Sequence, residues 1–234
     1  NRLKISSIFN YMQETASNHA NKTGVGYEDL IVDELFWVLS RAKIQIHKSP
    51  SWGDIVKVET WAKKVNRFFA VRDFELTDDK GELIANATTV WFVLNMNTMR
   101  PQGLLSLPGH IYLNENKHGH GLDETLGKIR IDDISFECIG ERRAVYSDID
   151  HNRHVNNARY IEWIMDCFSP EQLKNRYIKF LQVNFLNQTK LNDKVQLNMA
   201  QVKESGDIYY VEGMNKETKT KVFQSIIEWK ANAN

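Results

Sequence analysis

The 234-residue sequence predicts an α+β fold in which two similar units each place a long helix against a twisted antiparallel sheet. Three features predict it: two helical stretches with one apolar face, several segments of alternating apolar residues, and an order of features that occurs twice. The repeated segments begin at Ile44 and Val183, an offset of 139 residues. A recurring order at one offset indicates two copies of the same supersecondary unit.

Each half has a helical stretch ahead of its strands. In the first half, apolar residues three or four positions apart mark one face, as a half-buried helix requires. These residues are Ile8, Phe9, Met12, Ala16 and Ala20. In the second half, the same spacing joins Val155, Ala158, Ile161, Ile164, Met165 and Phe168. We expect both stretches to form long helices whose apolar faces are buried.

Alternating strands and polar turns follow each helical stretch. A strand, a turn containing Asp and a second strand are predicted over residues 44–58 and again over 183–197. Hairpins with polar turns are predicted over 74–94 and 211–229.

The repeat also predicts the domain organisation. We expect an N-terminal repeat at 1–100, a linker rich in Gly, His, Asn and Pro at 101–130, and a C-terminal repeat at 131–234. The N-terminal repeat has no counterpart of the strand over 141–146, and that strand is expected upstream of Asn1.

Composition excludes several classes of protein. Thirty basic and thirty acidic residues cancel without long blocks of either sign, which argues against general nucleic-acid or membrane-surface binding. With 42% hydrophobic residues the chain can build a sizeable core, and no apolar stretch approaches the ~20 residues of a membrane-spanning helix. Two cysteines, Cys138 and Cys167, argue against a disulfide scaffold and fit a reducing compartment, so we expect a cytoplasmic protein.

The run 148–157 concentrates polar chemistry just before the second helix. Its ten residues include two carboxylates, two imidazoles and three carboxamides. At a strand-to-helix junction, free backbone N–H groups and the positive helix end favour developing negative charge, as an oxyanion site requires. Helix capping is the structural alternative, and it is favoured for any single residue. For Asp150, Asn152 and His154 together, both interpretations stay open.

The sequence resembles the acyl-acyl carrier protein thioesterases, a family of plant FatA/FatB and bacterial enzymes with two hotdog domains in one chain. The matching segments are 10–20, 35–41, 49–61 and 150–163, which include Trp52-Gly53-Asp54 and the polar run. The resemblance implies a tandem hotdog fold and hydrolysis of the thioester that joins a fatty acyl chain to acyl carrier protein. An acyl-coenzyme A hydrolase, or a non-catalytic module that binds acyl chains or carrier protein, is the alternative.

The resemblance also implies the site residues. Asp150, Asn152 and His154 match the family's Asp, Asn and His, while Gln188 and Thr189 stand where the family has Glu and, in plant members, Cys. An amide cannot take a proton from water, so we expect Gln188 to orient the water. His154 and Asp150 are expected to share the proton transfer, with Asp150 as base, as nucleophile or as the group that orients His154, and Asn152 is expected to hold the carbonyl or the water. The missing thiol excludes a Cys–His pair at this position, and Cys167 is not favoured as a substitute.

Further expectations concern binding. Substrate contacts are assigned to Asn156, Asn157, Thr189, Trp37 and Trp61, although each Trp is individually more typical of a core. Docking of acyl carrier protein would use basic residues of the first half, with these weak candidates: Arg41, Lys43, Lys63, Lys64, Arg67 and Arg72. His118 and His120 are weak signs of a metal site, so we expect no metal and no cofactor. A homodimer is left open.

Overall fold

The computed structural model describes residues 2–107, 121–122, 126–130, 134–202 and 206–231, which divide into two units, Asn1–Leu126 and Gly127–Asn234. Each unit combines helices with an antiparallel sheet, which confirms the predicted α+β class. No helix among the described residues is long and apolar enough to cross a membrane.

The first unit is a four-stranded antiparallel sheet with a long helix ahead of it. Its elements are α1 (Ile5–Lys22), α2 (Tyr27–Ile31), β1 (Leu35–Ile46), β2 (Lys57–Val65), β3 (Ala70–Thr77), β4 (Leu83–Asn95) and β5 (Pro101–Gln102). The strand order is β2-β3-β4-β1, and the short β5 pairs with the end of β4. The long strands cover the alternating segments expected at 44–58 and 74–94.

The α1 helix confirms the predicted apolar face. All five residues that predicted it, from Ile8 to Ala20, are buried. The helix ends where Gly24 adopts a φ of 70°, which allows the Val25 N–H to donate to the carbonyl of Ala20 at 3.1 Å. Full burial of a side chain such as that of Phe9 contributes roughly 1.5–3 kcal/mol.

The second unit has the same plan with an additional strand. Its elements are β6 (Glu137–Arg143), α3 (Asn157–Met165), α4 (Pro170–Asn175), β7 (Arg176–Phe185), β8 (Lys194–Gln201), β9 (Ile208–Asn215) and β10 (Lys221–Ala231). The antiparallel strand order is β7-β10-β9-β8-β6. The strand expected upstream of Asn1, as a counterpart of β6, stays a prediction.

The second helix is shorter than the apolar pattern predicts. The α3 helix has nine residues, so the expectation of two long helices is wrong for this unit. Val155 precedes α3 and is buried because it forms a β-bridge with Ile149. Phe168 follows the helix and is buried because its ring packs on Tyr209 and Trp229, at centroid distances of 5.3 and 4.9 Å. The pattern therefore identified buried positions beyond both ends of the helix.

The turns after the first strands confirm the internal repeat. In the first unit, the Ser51 N–H donates to Oδ2 of Asp54 at 2.8 Å, and Gly53 has a φ of 92°. In the second unit, 139 residues later, the Lys190 N–H donates to Oδ2 of Asp193 at 2.9 Å, and Asn192 has a φ of 73°. Only glycine and a few residues such as Asn adopt this left-handed conformation at low cost. The same turn is thus built twice from different sequences.

A second repeated contact ties each helix to its turn. The Leu3 N–H, two residues before α1, donates to the carbonyl of Pro50 at 2.9 Å. The Val155 N–H, two residues before α3, donates to the carbonyl of Thr189 at 2.9 Å. This backbone joint is a property of the repeat, because it is present in both units.

Part of the predicted linker packs on the first unit. Leu104 and Leu107 belong to a buried cluster with Leu30, Leu35 and Val93. The structure therefore extends this unit past residue 100. The exact limits of the two repeats and of the linker stay predictions.

Candidate active site

The residues between β6 and α3 form a loop that is closed on itself by backbone hydrogen bonds. The Asp150 N–H donates to the carbonyl of His154 at 2.8 Å, and the Asn156 N–H donates to the carbonyl of Asp148 at 2.8 Å. At the tip, Arg153 has a φ of 63°, a left-handed conformation that costs a non-glycine residue roughly 1 kcal/mol. The loop thus holds Asp150, Asn152 and His154 within one tight turn.

The Asp150 carboxylate accepts hydrogen bonds from the backbone of this loop. Its Oδ1 accepts the N–H of Asn152 at 2.9 Å and the N–H of His154 at 3.3 Å. Its Oδ2 makes no hydrogen bond to another described residue. One oxygen therefore fixes the backbone, and the other can interact with the His154 imidazole or with a water.

The His154 side chain is half-buried, and its environment favours the neutral form. Burial lowers the pKa of His154 below the ordinary value of 6.5, and the charge of Lys190 lowers this pKa further. The Asp150 carboxylate acts in the opposite direction. The imidazole is therefore neutral at neutral pH and able to accept a proton.

The segment that carries Gln188 and Thr189 lies against the base of this loop. Thr189 is fully buried, and its carbonyl accepts the Val155 N–H in the joint described above. Gln188, directly before it, is exposed. Val155 and Thr189, which are 34 positions apart in the sequence, are therefore in direct contact. This contact brings the two predicted parts of the site together.

The start of α3 contains one clear structural residue. Asn156 is the N-cap, with its Oδ1 accepting the N–H of Ala158 at 2.8 Å. Its carbonyl accepts the N–H of Arg159 at 2.9 Å. The side-chain oxygen of Asn156 is therefore used for capping, whereas the N–H of Asn157 is not used by this cap and belongs to the positive end of the helix dipole.

Comparison with protein families identifies the fold and its relatives. Residues 1–106 match the family model of the acyl-ACP thioesterase N-terminal domain, and residues 137–231 match that of the C-terminal domain. The chain belongs to the acyl-ACP thioesterase family. The predicted resemblance is thereby confirmed over both halves.

Several relatives of this thioesterase family support the assignment. The chain is 27% identical to an acyl-[acyl-carrier-protein] hydrolase of Cuphea viscosissima over 88% of its length and 52% of that protein. It is 29% identical to oleoyl-acyl carrier protein thioesterase 2 of Arabidopsis thaliana over 82% of its length and 56% of that protein. The chain thus spans about half the length of the curated relatives it matches.

Solved structures confirm the tandem hotdog fold. An acyl-ACP thioesterase from Bacteroides thetaiotaomicron is 28% identical, with a TM-score of 0.81 over 98% of this chain and 90% of that one. The 12:0-ACP thioesterase from Umbellularia californica is 19% identical, with a TM-score of 0.75 over 99% of this chain and 91% of that one. At this lower identity the likeness concerns the fold alone.

The two cysteines of this family member differ in burial. Cys167 is buried and its thiol donates to the carbonyl of Trp163 at 3.4 Å. Burial raises the pKa of Cys167 to about 12, so the reactive thiolate is not formed at neutral pH. Cys138 lies on β6 and is exposed.

Trp37 and Trp61 lie in the first unit, where both behave as core residues. The indole N–H of Trp37 donates to the carbonyl of Val25 at 2.8 Å, and its ring packs on the buried cluster of that unit. Trp61 is buried on β2. Their roles in substrate binding stay predictions.

Three of the basic residues expected to face a carrier protein are engaged within the first unit. Lys63 forms an ion pair with the buried Asp73 at 3.0 Å, and Arg41 donates to the carbonyl of Leu126. Burial lowers the pKa of Arg72 to about 10, because the charged guanidinium is removed from water. These three therefore have partners within the unit, and the basic docking surface stays a prediction; Lys63, Lys64 and Arg67 are exposed.

The structure gives roles to two further residues at the site, Asp148 and Arg159, to which the sequence analysis assigned none. Asp148 is buried, its Oδ2 accepts the N–H of Val145 at 2.9 Å, and its Oδ1 lies 3.8 Å from Nε of Arg159. Arg159 also donates to the carbonyl of Ser147 at 3.2 Å. These contacts hold Asp148, at the start of the loop, against α3. No spacing in the sequence predicts the contact between Asp148 and Arg159.

The described residues contain no group of three or more His, Cys, Asp or Glu side chains placed to hold a metal ion. His118 and His120, the weak metal candidates of the sequence, lie outside the residues that the structure describes.

Proposed function

We propose that this chain hydrolyses the thioester of a fatty acyl chain carried on acyl carrier protein and releases a free fatty acid. The observation that carries the proposal is the closed loop that holds an ionisable Asp150 beside a neutral His154 at the start of α3. A thioester carbonyl is already electrophilic, so the chemistry needs a positioned water, a base and a stabilised oxyanion.

His154 is the proposed base. Its imidazole takes a proton from the attacking water as the oxygen bonds to the carbonyl carbon. The Asp150 carboxylate stabilises the imidazolium that results, because a nearby negative charge favours the protonated form. When the carbon–sulfur bond breaks, His154 returns the proton to the departing thiolate.

The oxyanion is assigned to groups at the end of the loop. The Asn152 carboxamide and the Asn157 N–H can both donate, and the N-terminus of α3 adds a partial positive charge. Gln188 is exposed and carries an amide, so its proposed role is to orient the water.

The proposal places the protein where finished acyl chains leave their carrier in fatty acid biosynthesis. A cytoplasmic location stays a prediction from cysteine usage, since the plant relatives are named chloroplastic. A homodimer also stays a prediction.

Hydrolysis of acyl-carrier substrates of graded chain length tests the proposal, with the wild type and His154→Ala assayed side by side. We expect turnover by the wild type and a decrease in kcat on the order of 10²-fold or more in the variant, as removal of an acid–base residue produces. A higher kcat/KM on acyl-coenzyme A than on acyl-carrier substrate of the same chain would favour the coenzyme A alternative.

One observation favours the non-catalytic alternative, namely the amide of Gln188 where the family has a carboxylate. Saturable binding of acyl carrier protein by the wild type, without release of fatty acid under excess substrate, would establish that alternative.

A further inference from the structure

We propose that acyl carrier protein docks on an exposed basic and apolar surface of the second unit, beside the polar loop. This loop-side surface consists of Arg143, Val145, Tyr146, Lys190 and Leu191. The inference rests on the proposed function, because it names the surface that receives the carrier-bound substrate of the same site.

The loop-side surface is built from two segments that hydrogen bonds hold together. The Asn192 N–H donates to the carbonyl of Ala144 at 2.9 Å, and the Ala144 N–H donates to the carbonyl of Asp193 at 2.9 Å. The Arg143 guanidinium donates to Oδ1 of Asn192 at 2.8 Å. The end of β6 and the turn before β8 therefore form one continuous surface.

Both segments of this surface adjoin the polar loop. The Val145 N–H donates to Oδ2 of Asp148, at the start of the loop, at 2.9 Å. Lys190 directly follows Thr189, which is bonded to the other end of the loop. Burial lowers the pKa of His154, and the charge of Lys190 lowers it further. A carrier seated here would hold its thioester, at the end of a flexible prosthetic arm, close to the loop.

The apolar side chains of the loop-side surface are open to solvent. Tyr146 is 88% exposed, Val145 48% and Leu191 47%. Adjoining apolar side chains in water mark interaction sites more often than isolated ones do. Tyrosine is also enriched among the residues that dominate binding at protein interfaces. These side chains therefore offer an aromatic anchor with aliphatic neighbours to a protein partner.

The two cations of the loop-side surface have no carboxylate partner in the part of the chain that the structure describes. The Arg143 guanidinium is bonded to the neutral carboxamide of Asn192, and the ammonium of Lys190 makes no ion pair there. Both side chains are exposed. Their charge is therefore available to a partner.

The acidic side chains nearest to this surface are already engaged. Oδ2 of Asp193 accepts the Lys190 N–H at 2.9 Å and the Asn215 carboxamide at 3.2 Å. The Glu141 carboxylate pairs with Lys216 at 2.6 Å. The surface therefore presents positive charge outward, which complements an acidic carrier protein.

The first unit provides an internal comparison. The repeat offset of 139 residues places Ser51 and Trp52 at the positions of Lys190 and Leu191. The first turn thus exposes an apolar side chain, since Trp52 is 92% exposed, but it has no cation at the position of Lys190. Because both units build the same backbone turn, the fold does not require this lysine. Its presence beside the polar loop points to a function.

Binding measurements on matched variants test the loop-side surface. The probe is acyl carrier protein that bears a fatty acyl chain through an amide, which resists hydrolysis. Arg143→Glu, Lys190→Glu and the double variant reverse the charges, and Tyr146→Ala removes the exposed ring. Lys230→Glu is the control, because it makes the same charge change on an exposed residue of the same unit. Lys230 pairs with Tyr177 near the start of β7, whereas the loop-side surface adjoins the turn beyond the end of that strand.

We expect Kd to rise about fivefold in each charge reversal and about twentyfold in the double variant, because an attraction between exposed charges is replaced by a repulsion. Tyr146→Ala should raise Kd about tenfold, as the loss of an aromatic anchor does. Lys230→Glu should keep Kd within about twofold. Added salt should weaken binding by the wild type, and by the double variant less, because salt screens the attraction between exposed charges.

Two further variants sharpen the test. Arg143→Lys keeps the charge and should bind like the wild type, which separates the charge from the hydrogen bond to Asn192. Lys64→Glu reverses a charge on the first-unit surface that the sequence predicts for docking. An unchanged Kd in the double variant and in Tyr146→Ala would overturn the proposal. A rise in Lys64→Glu or Lys230→Glu as large as that in the double variant would overturn it as well.

Binding and turnover separate this proposal from the proposed function. A wild type that binds the carrier through the loop-side surface but releases no fatty acid from the thioester would refute the hydrolysis and keep the docking assignment. A wild type that releases fatty acid, with the same Kd in every variant, would refute the docking assignment alone.

Discussion

Replacing the Asp150 carboxylate separates its structural role from its chemical one. In the structure, Oδ1 accepts two backbone N–H groups of the loop, from Asn152 and His154. Asp150→Asn keeps an oxygen in that place and removes the charge, whereas Asp150→Ala removes the acceptor as well. Both variants therefore lose the negative charge, but only Asp150→Ala also removes the acceptor of the two loop N–H groups.

The expected magnitudes follow from those two bonds. Hydrogen bonds to a charged acceptor contribute about 1.5–3 kcal/mol and neutral ones about 0.5–1.5 kcal/mol. Because Asp150 is only half-buried, water compensates part of the loss, and we expect Asp150→Asn to lower the free energy of unfolding by about 1 kcal/mol. Asp150→Ala should lower it by roughly 2–3 kcal/mol, because two N–H groups of the loop lose their acceptor.

Activity should respond differently from stability. Both variants remove the charge that stabilises protonated His154, so kcat should fall on the order of 10²-fold or more in both, even though their stabilities differ. Denaturant unfolding gives the stabilities, and initial rates of fatty acid release from an acyl-carrier substrate give kcat. If Asp150→Asn turned over at a near-native rate, Asp150 would be a loop cap only, and the catalytic assignment would be wrong.

Three further variants probe the same site. Gln188→Glu should keep or raise kcat, because the exposed position solvates a carboxylate that can add a base; a clear loss of kcat would contradict the water-orienting role. Lys190→Gln should raise the pKa of His154, because the charge of Lys190 lowers it. The acid limb of the pH profile of kcat/KM should therefore move to higher pH. An unmoved limb would show that a group other than His154 titrates. In the wild type that limb should lie below pH 6.5, because burial already depresses this pKa. Cys167→Ala should retain turnover, since a thiol with a pKa of about 12 is not a nucleophile at neutral pH, and a large loss of kcat in folded protein would reopen a thiol mechanism.

Much of the fold could be predicted from periodicity, and the errors have physical causes. The α1 face was predicted correctly because its apolar spacing persists over more than three turns, from Ile8 to Ala20. The α3 helix was predicted too long because Val155 and Phe168 are buried by a β-bridge and by aromatic packing, not by helical contacts. The spacing of apolar residues indicates which positions are buried. A position can be buried by a β-bridge or by aromatic packing as well as by the contacts of a helix.

The candidate site could be predicted only where its residues are close in sequence. The run around Asp150 and His154 is one loop, so its polar density was visible. The backbone hydrogen bond between Val155 and Thr189 could not be predicted, because the two residues lie on different segments. The pairing of Lys63, a candidate for the docking surface, with Asp73 could not be predicted, because it depends on strand register.

The repeated joint predicts that side chains of the polar loop can be altered without unfolding the unit. Leu3 with Pro50 and Val155 with Thr189 make the same backbone hydrogen bond, so the attachment of helix to turn is independent of catalytic side chains. In the second unit the loop is closed separately, by the bridge between Ile149 and Val155. The proposed catalytic segment therefore lies ahead of a joint that the fold already provides. Loss of activity in loop variants that keep their stability can therefore be attributed to the side chains themselves.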